Sequence, residues 1–483
     1  EVVNRYWSFR AYTTQENAGE SYNTTVATRL FNESWKPSGG ATGWFSQYSQ
    51  TYLASRLAGA SDADAHTAAR AQADIGRPLA SSAQFRKSYD SIRTKPIKLG
   101  GALLLDKSDL YSMEGTYNAS HLTGKWVDLL IGASYKLYVL NSAGTLFADS
   151  TGPIKISEYG AYLQASRKLM DRLYLTLSGR YDKNQNFKGR ITPRATALFK
   201  LNANNNFRLS YQTAYRFPSN QQQYINLAIG SNVRLIGGAP GFRTLFNFAG
   251  NPIYDFDALR AGNIVAYTPQ DLKPESLSSF ELGYKGLMME NKLLVDVYGY
   301  YGTYKDFLGR KVTVQKVGPG AIALSDTLNG YRYSIPVNST DKVKTYGFGL
   351  SVDYRLPLNF TVGANVSSDV LKDVPTNFVA FFNSPKYKAN VMVGNSGFGP
   401  GKRLGFNVAY RYQGAFLYQG DFATGNLPVV QTLDAQVSLK LPKANKSMIK
   451  LGATNLLNQY YYNAIGNSQV GGLYYISFGY NVY

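Results

Sequence analysis

Apolar and polar residues alternate with period two along most of the chain, in segments of about 10–15 residues divided by turn residues. In 126–140 the residues Val127, Leu129, Ile131, Ala133, Tyr135, Leu137 and Val139 share one face, opposite Asp128, Gly132, Ser134 and Lys136. In 292–304 Leu293, Val295, Val297 and Tyr301 oppose Lys292 and Asp296. In 346–356 Tyr346, Phe348, Leu350, Val352 and Tyr354 oppose Gly347, Gly349, Ser351, Asp353 and Arg355. Similar stretches lie at 173–181, 207–216, 358–367, 403–413 and 433–441. The pattern predicts strands with one apolar and one polar face. A soluble sandwich would alternate in the same way, so length decides. These segments exceed the roughly 5–6-residue mode of globular strands and suit a tilted crossing of a bilayer. Arg180, Arg208, Arg355 and Arg411 on the polar faces suit a wet lumen. The predicted fold is all-β, a transmembrane antiparallel β-barrel.

The connections support this. Short ones at 168–172, 202–206, 287–291, 356–359 and 442–446 alternate with long ones at 34–107, 141–153, 217–275, 305–342, 368–386, 414–428 and 457–471. Outer-membrane barrels have short periplasmic turns and long extracellular loops. About 17 strands are expected, the first near 2–13 and the last near 470–483. Single-chain bacterial barrels have an even number. With a periplasmic C-terminus the first strand also runs toward the periplasm, so an odd number of strands is expected upstream. Residues 1–483 then read as one C-terminal barrel portion, with 34–107, 217–275 and 305–342 as its long extracellular loops. Within the first loop Trp44, Tyr48 and Tyr52 recur every four residues, predicting a helix over 44–58. Ser61 before Asp64 resembles a capping box for a second helix over 62–75, ending at Gly76 and Pro78. Both helices are expected to pack within the loop.

Composition narrows the alternatives. The chain has 483 residues, 44% hydrophobic, and no run near the roughly 18–20 apolar residues a spanning helix needs. The 39 Tyr, 25 Phe and 46 Gly suit strands, turns and membrane–water interfaces. Cys is absent, which excludes disulfides, thiolate metal sites and cysteine nucleophiles. His66 and His121 are the only histidines, so no two-His metal motif is expected. The net charge of +20 first suggests nucleic acid, but the basic residues are scattered, and a basic barrel against anionic headgroups accounts for them.

No catalytic constellation emerges. His121 stands beside Ser120 without an orienting acid. The run Gly397–Lys402 lacks phosphate-loop spacing and reads as a turn. Asp255 with Asp257, and Asp106 with Asp109, lack the rest of a calcium loop and read as solvated acids. No enzyme activity, metal or cofactor is expected.

Four segments resemble signatures of TonB-dependent outer-membrane receptors. Asp271–Leu272–Lys273–Pro274–Glu275, followed by Phe280–Glu281–Leu282–Gly283, resembles the family's LKPE strand opening. Thr192–Pro193–Arg194 and Tyr211 to Pro218 are similar to its SPR and YGTGFRAP pair, and Thr454 to Tyr460 to its NLFNKxY run. The four stand in the family's order over 190–460. The segment from Arg5 to Trp35 resembles receptors preceded by a carboxypeptidase-regulatory-like domain. The resemblance implies a 22-stranded barrel, a plugged-transporter size, with about five strands, the plug and the TonB box upstream of Glu1. One departure is the apolar face Tyr474, Ile476, Phe478, Tyr480 and Val482, a register away from Tyr483.

The expected function is TonB-dependent uptake of a scarce solute (siderophore, oligosaccharide or peptide) across the bacterial outer membrane. The alternatives are an outer-membrane binding or assembly subunit, a passive porin, or an outer-membrane enzyme. Expected partners are outer-membrane lipid and lipopolysaccharide, the inner-membrane TonB complex acting through the plug, and a surface lipoprotein, with no nucleic acid. The 217–275 loop is the candidate capture site, since loops beyond about 12–15 residues without regular structure are usually functional or disordered. It carries Gln221, Gln222, Gln223, Tyr224, Arg234, Arg243, Phe246, Tyr254, Asp255 and Arg260, whose amides, rings and charges suit a polar solute.

Overall fold

Strand pairing runs almost without interruption from one end of the chain to the other. The computed structural model describes residues 1–230, 232–421, 423–441 and 447–480. Its main element is a 17-stranded sheet. In chain order the strands are Val2–Val3, Trp7–Gln15, Asp109–Asn118, Asp128–Leu140, Ile154–Met170, Leu173–Asn184, Arg190–Lys200, Asn205–Arg216, Glu275–Met288, Leu293–Lys305, Val343–Arg355, Phe360–Lys372, Lys388–Phe398, Leu404–Gln413, Val430–Lys440, Met448–Thr454 and Leu473–Gly479. Each pairs antiparallel with its predecessor, giving an up-and-down wall. Among the described residues no pairing joins the first strands to the last.

The register lines up the faces that alternation predicts. Val295 lies opposite Val352 and Val297 opposite Leu350, while Asp296 lies opposite Ser351 on the other face. The apolar face continues through Tyr211, Phe280 and Tyr301, and through Leu350, Val366 and Ala389. It is exposed: Phe280 is 59% accessible, Leu282 60% and Leu451 58%. A continuous exposed apolar band of this kind marks an interaction surface. The polar face carries the ion pairs Arg10–Glu114 at 3.7 Å, Arg411–Asp434 at 2.5 Å and Arg208–Glu281. On this face tyrosine rings lie across glycines of the neighbouring strand. A Cβ on Gly349 would come within 2.5 Å of the Tyr298 ring, and one on Gly452 within 2.6 Å of Tyr475. The abundance of both residue types thus has a packing cause, the rings covering the backbone that glycine leaves bare.

Three expectations need adjustment. The first strand, expected near 2–13, is a hairpin of Val2–Val3 with Trp7–Gln15. The excursion that follows begins at 16 rather than 34, because Asn23 caps helix α1 (Thr24–Trp35), which buries Val26, Ala27 and Phe31. The 217–275 connection, read as lacking regular structure, also carries strands. Strands Asn226–Ala228, Val233–Ile236, Ile253–Asp255 and Ala266–Tyr267 join Leu308–Gln315 and Tyr331–Asn338 in a six-stranded mouth sheet. The predicted turn at 442–446 and the face of Tyr483 lie outside the described residues.

The mouth sheet packs on both faces. Ile236, Ile253, Tyr333 and Ile335 bury against Phe242, with Phe246 and Phe248 beside them. On the other face Leu235 joins Val26 and Ala27 of α1, and Val314 packs with Leu259 and Ile322. The two predicted helices are present as α2 (Trp44–Leu57) and α3 (Asp62–Ala73), with the Ser61 hydroxyl accepting from the Asp64 amide. The aromatic ladder of α2 stacks along itself and onto α3: Trp44 and Tyr48 are 5.0 Å apart, Tyr52 and His66 4.6 Å. A fourth helix, α4 (Ala83–Thr94), returns to α1 through Phe85 and Phe31, 4.7 Å apart.

Candidate functional site

The motif segments fasten the mouth sheet to the wall. Glu275, 8% accessible, accepts from Arg216 Nε at 2.7 Å and from the Leu308 amide at 2.8 Å. It therefore ties two wall strands to the start of a mouth strand. Asn338 clamps the backbone of Lys273, accepting from its amide and donating to its carbonyl, both at 2.8 Å. Arg243 pairs with Asp271. Near the other end, Asn455 takes a left-handed conformation (φ 52°), accepts from the Gln459 amide at 3.1 Å and donates to the Gln459 carbonyl at 2.8 Å.

A consequence can be measured. Glu275→Ala strands the buried Leu308 N–H and should cost about 1.5–3 kcal/mol of mouth attachment, the range for hydrogen bonds to charged groups. Arg216 is half exposed, so the ion pair itself adds little. Glu275→Gln keeps an acceptor and should cost less. Protease cleavage within 306–342 of the folded protein should be fastest in the alanine variant; equal rates in the wild type and Ala variant would disprove the joint.

Above the wall's polar face lies a cavity of about 470 Å3. Its lining includes Tyr138, Glu158, Arg180, Asp182, Tyr215 and Arg216, all near the ends of wall strands. Arg180 pairs with Asp182 at 2.7 Å and reaches Ser134 Oγ at 3.1 Å, so the charges are balanced and oriented. Such a lining can hold a polar solute by several hydrogen bonds at once. The rim is Phe217 to Asn220, where Ser219 and Gln222 form a reciprocal capping box on the short helix Asn220–Tyr224.

The residues expected to capture solute are dispersed through the excursion. Gln222 is held in that capping box and Gln221 is exposed. Gln223 is buried, donating to the Pro218 carbonyl at 2.7 Å; Asn186 donates to both Gln223 Oε1 and the Tyr224 hydroxyl. Burial pushes the Tyr224 phenol up. Arg234 donates to Asn226 Oδ1 at 2.7 Å over the Phe246 ring, and burial lowers its proton affinity. Tyr254 packs beside Leu259 and Val314, and Arg260 lies over Phe256 on the exposed side. The structure brings Gln223 and Tyr224 together through Asn186, and Arg234 onto Phe246, and leaves the rest apart.

Two acids read as solvated are buried. Asp255 caps the helix Phe256–Arg260 and pairs with Lys311. Burial alone would raise its carboxyl, but the Lys311 ammonium and the Ala258 amide outweigh that and hold it below the usual range. Asp106 accepts from the Ser108 amide and hydroxyl. Both are spent on local structure, which the sequence spacing does not reveal. His121 meets the Tyr117 hydroxyl at 3.3 Å and the Asn118 carbonyl at 3.2 Å, so both ring nitrogens face neutral groups. Among the described residues no group of acids and histidines could hold a metal ion.

The sequence reading missed Glu158, Tyr215 and Arg216 in the cavity, and also the approach of Arg29 of α1 to Arg332 of the mouth sheet. The second could have been found in 331–337, where Tyr331, Tyr333, Ile335 and Val337 alternate with Arg332 and Ser334.

Comparison with known proteins places this architecture. No curated protein matches the chain. Among solved structures it is similar to the siderophore receptor PirA from Acinetobacter baumannii (16% identity, TM-score 0.53, 77% of this chain and 55% of that one). It is also similar to the FrpB iron transporter from Neisseria meningitidis (13%, TM-score 0.54, 80% and 57%). The ferric enterobactin receptor PfeA from Pseudomonas aeruginosa is a third (14%, TM-score 0.54, 78% and 54%). At such identities the likeness is one of fold, and the chain spans little more than half the length of each neighbour. The family profile described as TonB dependent receptor-like, beta-barrel, matches residues 3–456. With its long meander, outward apolar band and fastened mouth, the chain belongs to the TonB-dependent receptor β-barrel family.

Proposed function

We propose that this chain is the barrel part of an outer-membrane receptor that captures a scarce solute at its long-loop end and imports it with energy from the TonB complex. The observation that carries the reading is the folded mouth sheet, tied to the wall by Glu275 and Asn338, beside a polar cavity whose lining includes Arg216, the partner of Glu275. A passive porin needs an open lumen, whereas a fastened, hydrogen-bonded mouth suits selective capture. Siderophores rank first among solutes, since PirA is named a siderophore receptor, PfeA a ferric enterobactin receptor and FrpB an iron transporter. Outer-membrane lipid and lipopolysaccharide would contact the apolar band, and a surface lipoprotein could cover the mouth.

A strain lacking the receptor, grown under iron limitation with a panel of ferric siderophores, tests this. One uptake should be lost at limiting concentration, restored by the gene, and lost again when TonB is inactivated. Uptake indifferent to TonB would favour the porin reading.

Sidedness is testable because the chain has no cysteine. Leu358→Cys lies in a short turn and Leu328→Cys in a long excursion, and both native side chains are at least 80% exposed. On intact cells an impermeant maleimide should label only the second. Labelling of the first alone would invert the topology.

A further inference from the structure

On that reading of the long-loop end, we propose that a second cavity, between α1, the mouth sheet and the hairpin Phe416–Gln419/Thr424–Leu427, anchors a carboxylate carried on an apolar or aromatic body. The cavity holds about 310 Å3, the low end for small-molecule sites, so it accommodates one substituent of a larger solute. Arg29 comes from α1, Arg332 and Ser334 from one face of the strand Tyr331–Asn338, and Phe256 and Phe381 from two other excursions.

The key atom is Arg332 Nε, which is buried and has no hydrogen-bond partner. The guanidinium lies over the Phe256 ring, its carbon 5.8 Å from the centroid. Burial lowers its proton affinity and the charge of Arg29 lowers it further, so two like charges lie within reach of one another. A buried cationic N–H without an acceptor is costly, and an incoming oxyanion would relieve both the vacancy and the repulsion.

The carboxylate already present is engaged. Asp421 faces Arg310 Nε at 3.5 Å, and Arg310 is 5% accessible, donating through Nη1 to the Ser334 carbonyl at 2.7 Å. Asp421 therefore answers Arg310 and leaves Arg332 to a ligand. Guanidinium groups hold planar carboxylates by paired N–H bonds. Of the remaining walls, Val233, Val312 and the two phenylalanines suit a ring or alkyl group, and the hydroxyls of Ser334 and Thr424 are too few to replace the hydration of a free phosphate.

Saturation-transfer NMR on the full-length receptor in detergent tests this with benzoate, benzamide and inorganic phosphate as probes. Benzoate should bind saturably, about tenfold or more tighter than either of the others, and Arg332→Met should remove about that factor. Asp421→Asn removes the negative charge in the lining that repels an entering carboxylate and should tighten benzoate, a gain that misfolding cannot imitate. Equal binding of benzoate and benzamide, equal binding of phosphate, an unaffected Arg332→Met or no gain in Asp421→Asn would each overturn the proposal. Uptake strains report on transport and these titrations on the cavity, so either reading can fail alone.

Discussion

Val297→Arg should abolish assembly of the barrel in the membrane, whereas Asp296→Arg one position away should assemble nearly as the wild type does. Val297 lies opposite Tyr284 and Leu350 on the apolar face, and 36% of it is exposed. An arginine there faces hydrocarbon, at a cost of about 2–4 kcal/mol near the bilayer midplane. Asp296 lies on the polar face, 3.2 Å from Lys285, where a charge stays hydrated. Replacing it by arginine substitutes a like-charge contact for a half-exposed pair, a change of a few tenths to about 1 kcal/mol. Heat-modifiable migration on gels, with urea titration in lipid vesicles, measures both. Comparable stability of the two variants would mean that the faces are reversed or that the wall does not meet lipid.

Deleting 230–260 from the full-length receptor should abolish high-affinity uptake and leave the wall assembled. The segment contributes Val233–Ile236, which runs parallel to Tyr331–Asn338, and Ile253–Asp255, which pairs with Leu308–Gln315. It also supplies Phe242, packed on Ile236 and Tyr333, where burial pushes the Tyr333 phenol up to about 12. Without it the mouth loses strands from both sides of its central hairpin. The wall strands Asn205–Arg216 and Glu275–Met288 keep their own twelve-residue register and should hold. Heat resistance on gels reads the wall and uptake at limiting solute reads the mouth. Unchanged uptake would move capture to 34–107, to 305–342 or to a plug, and a collapsed wall would make the mouth part of the barrel's own stability.

Alternation determined the wall. A period of two leaves no choice of face, and a one-residue slip would turn Val295, Val297, Leu350 and Val352 all to the wrong side, so faces and register were legible in the chain alone. The aromatic four-residue repeat of α2 and the Ser61 cap of α3 were legible for the same reason, being local. The motif residues were recognisable by likeness, but their work was not, since Glu275 acts on Leu308 and Asn338 on Lys273 across long stretches of chain.

Only the tertiary structure decided the mouth. Its strands are short, between two and eight residues, and a run as brief as Ile253–Asp255 carries too little pattern to separate strand from loop. Their pairing is between distant segments, as Val233 is with Arg332. The burial of Asp255 depends on Lys311, and the arginine cavity gathers Arg29, Arg332 and Asp421 from three separate excursions. A wall strand is specified by its own sequence and its immediate neighbours. A site built where excursions converge is specified by contacts that exist only once the wall has brought their ends together.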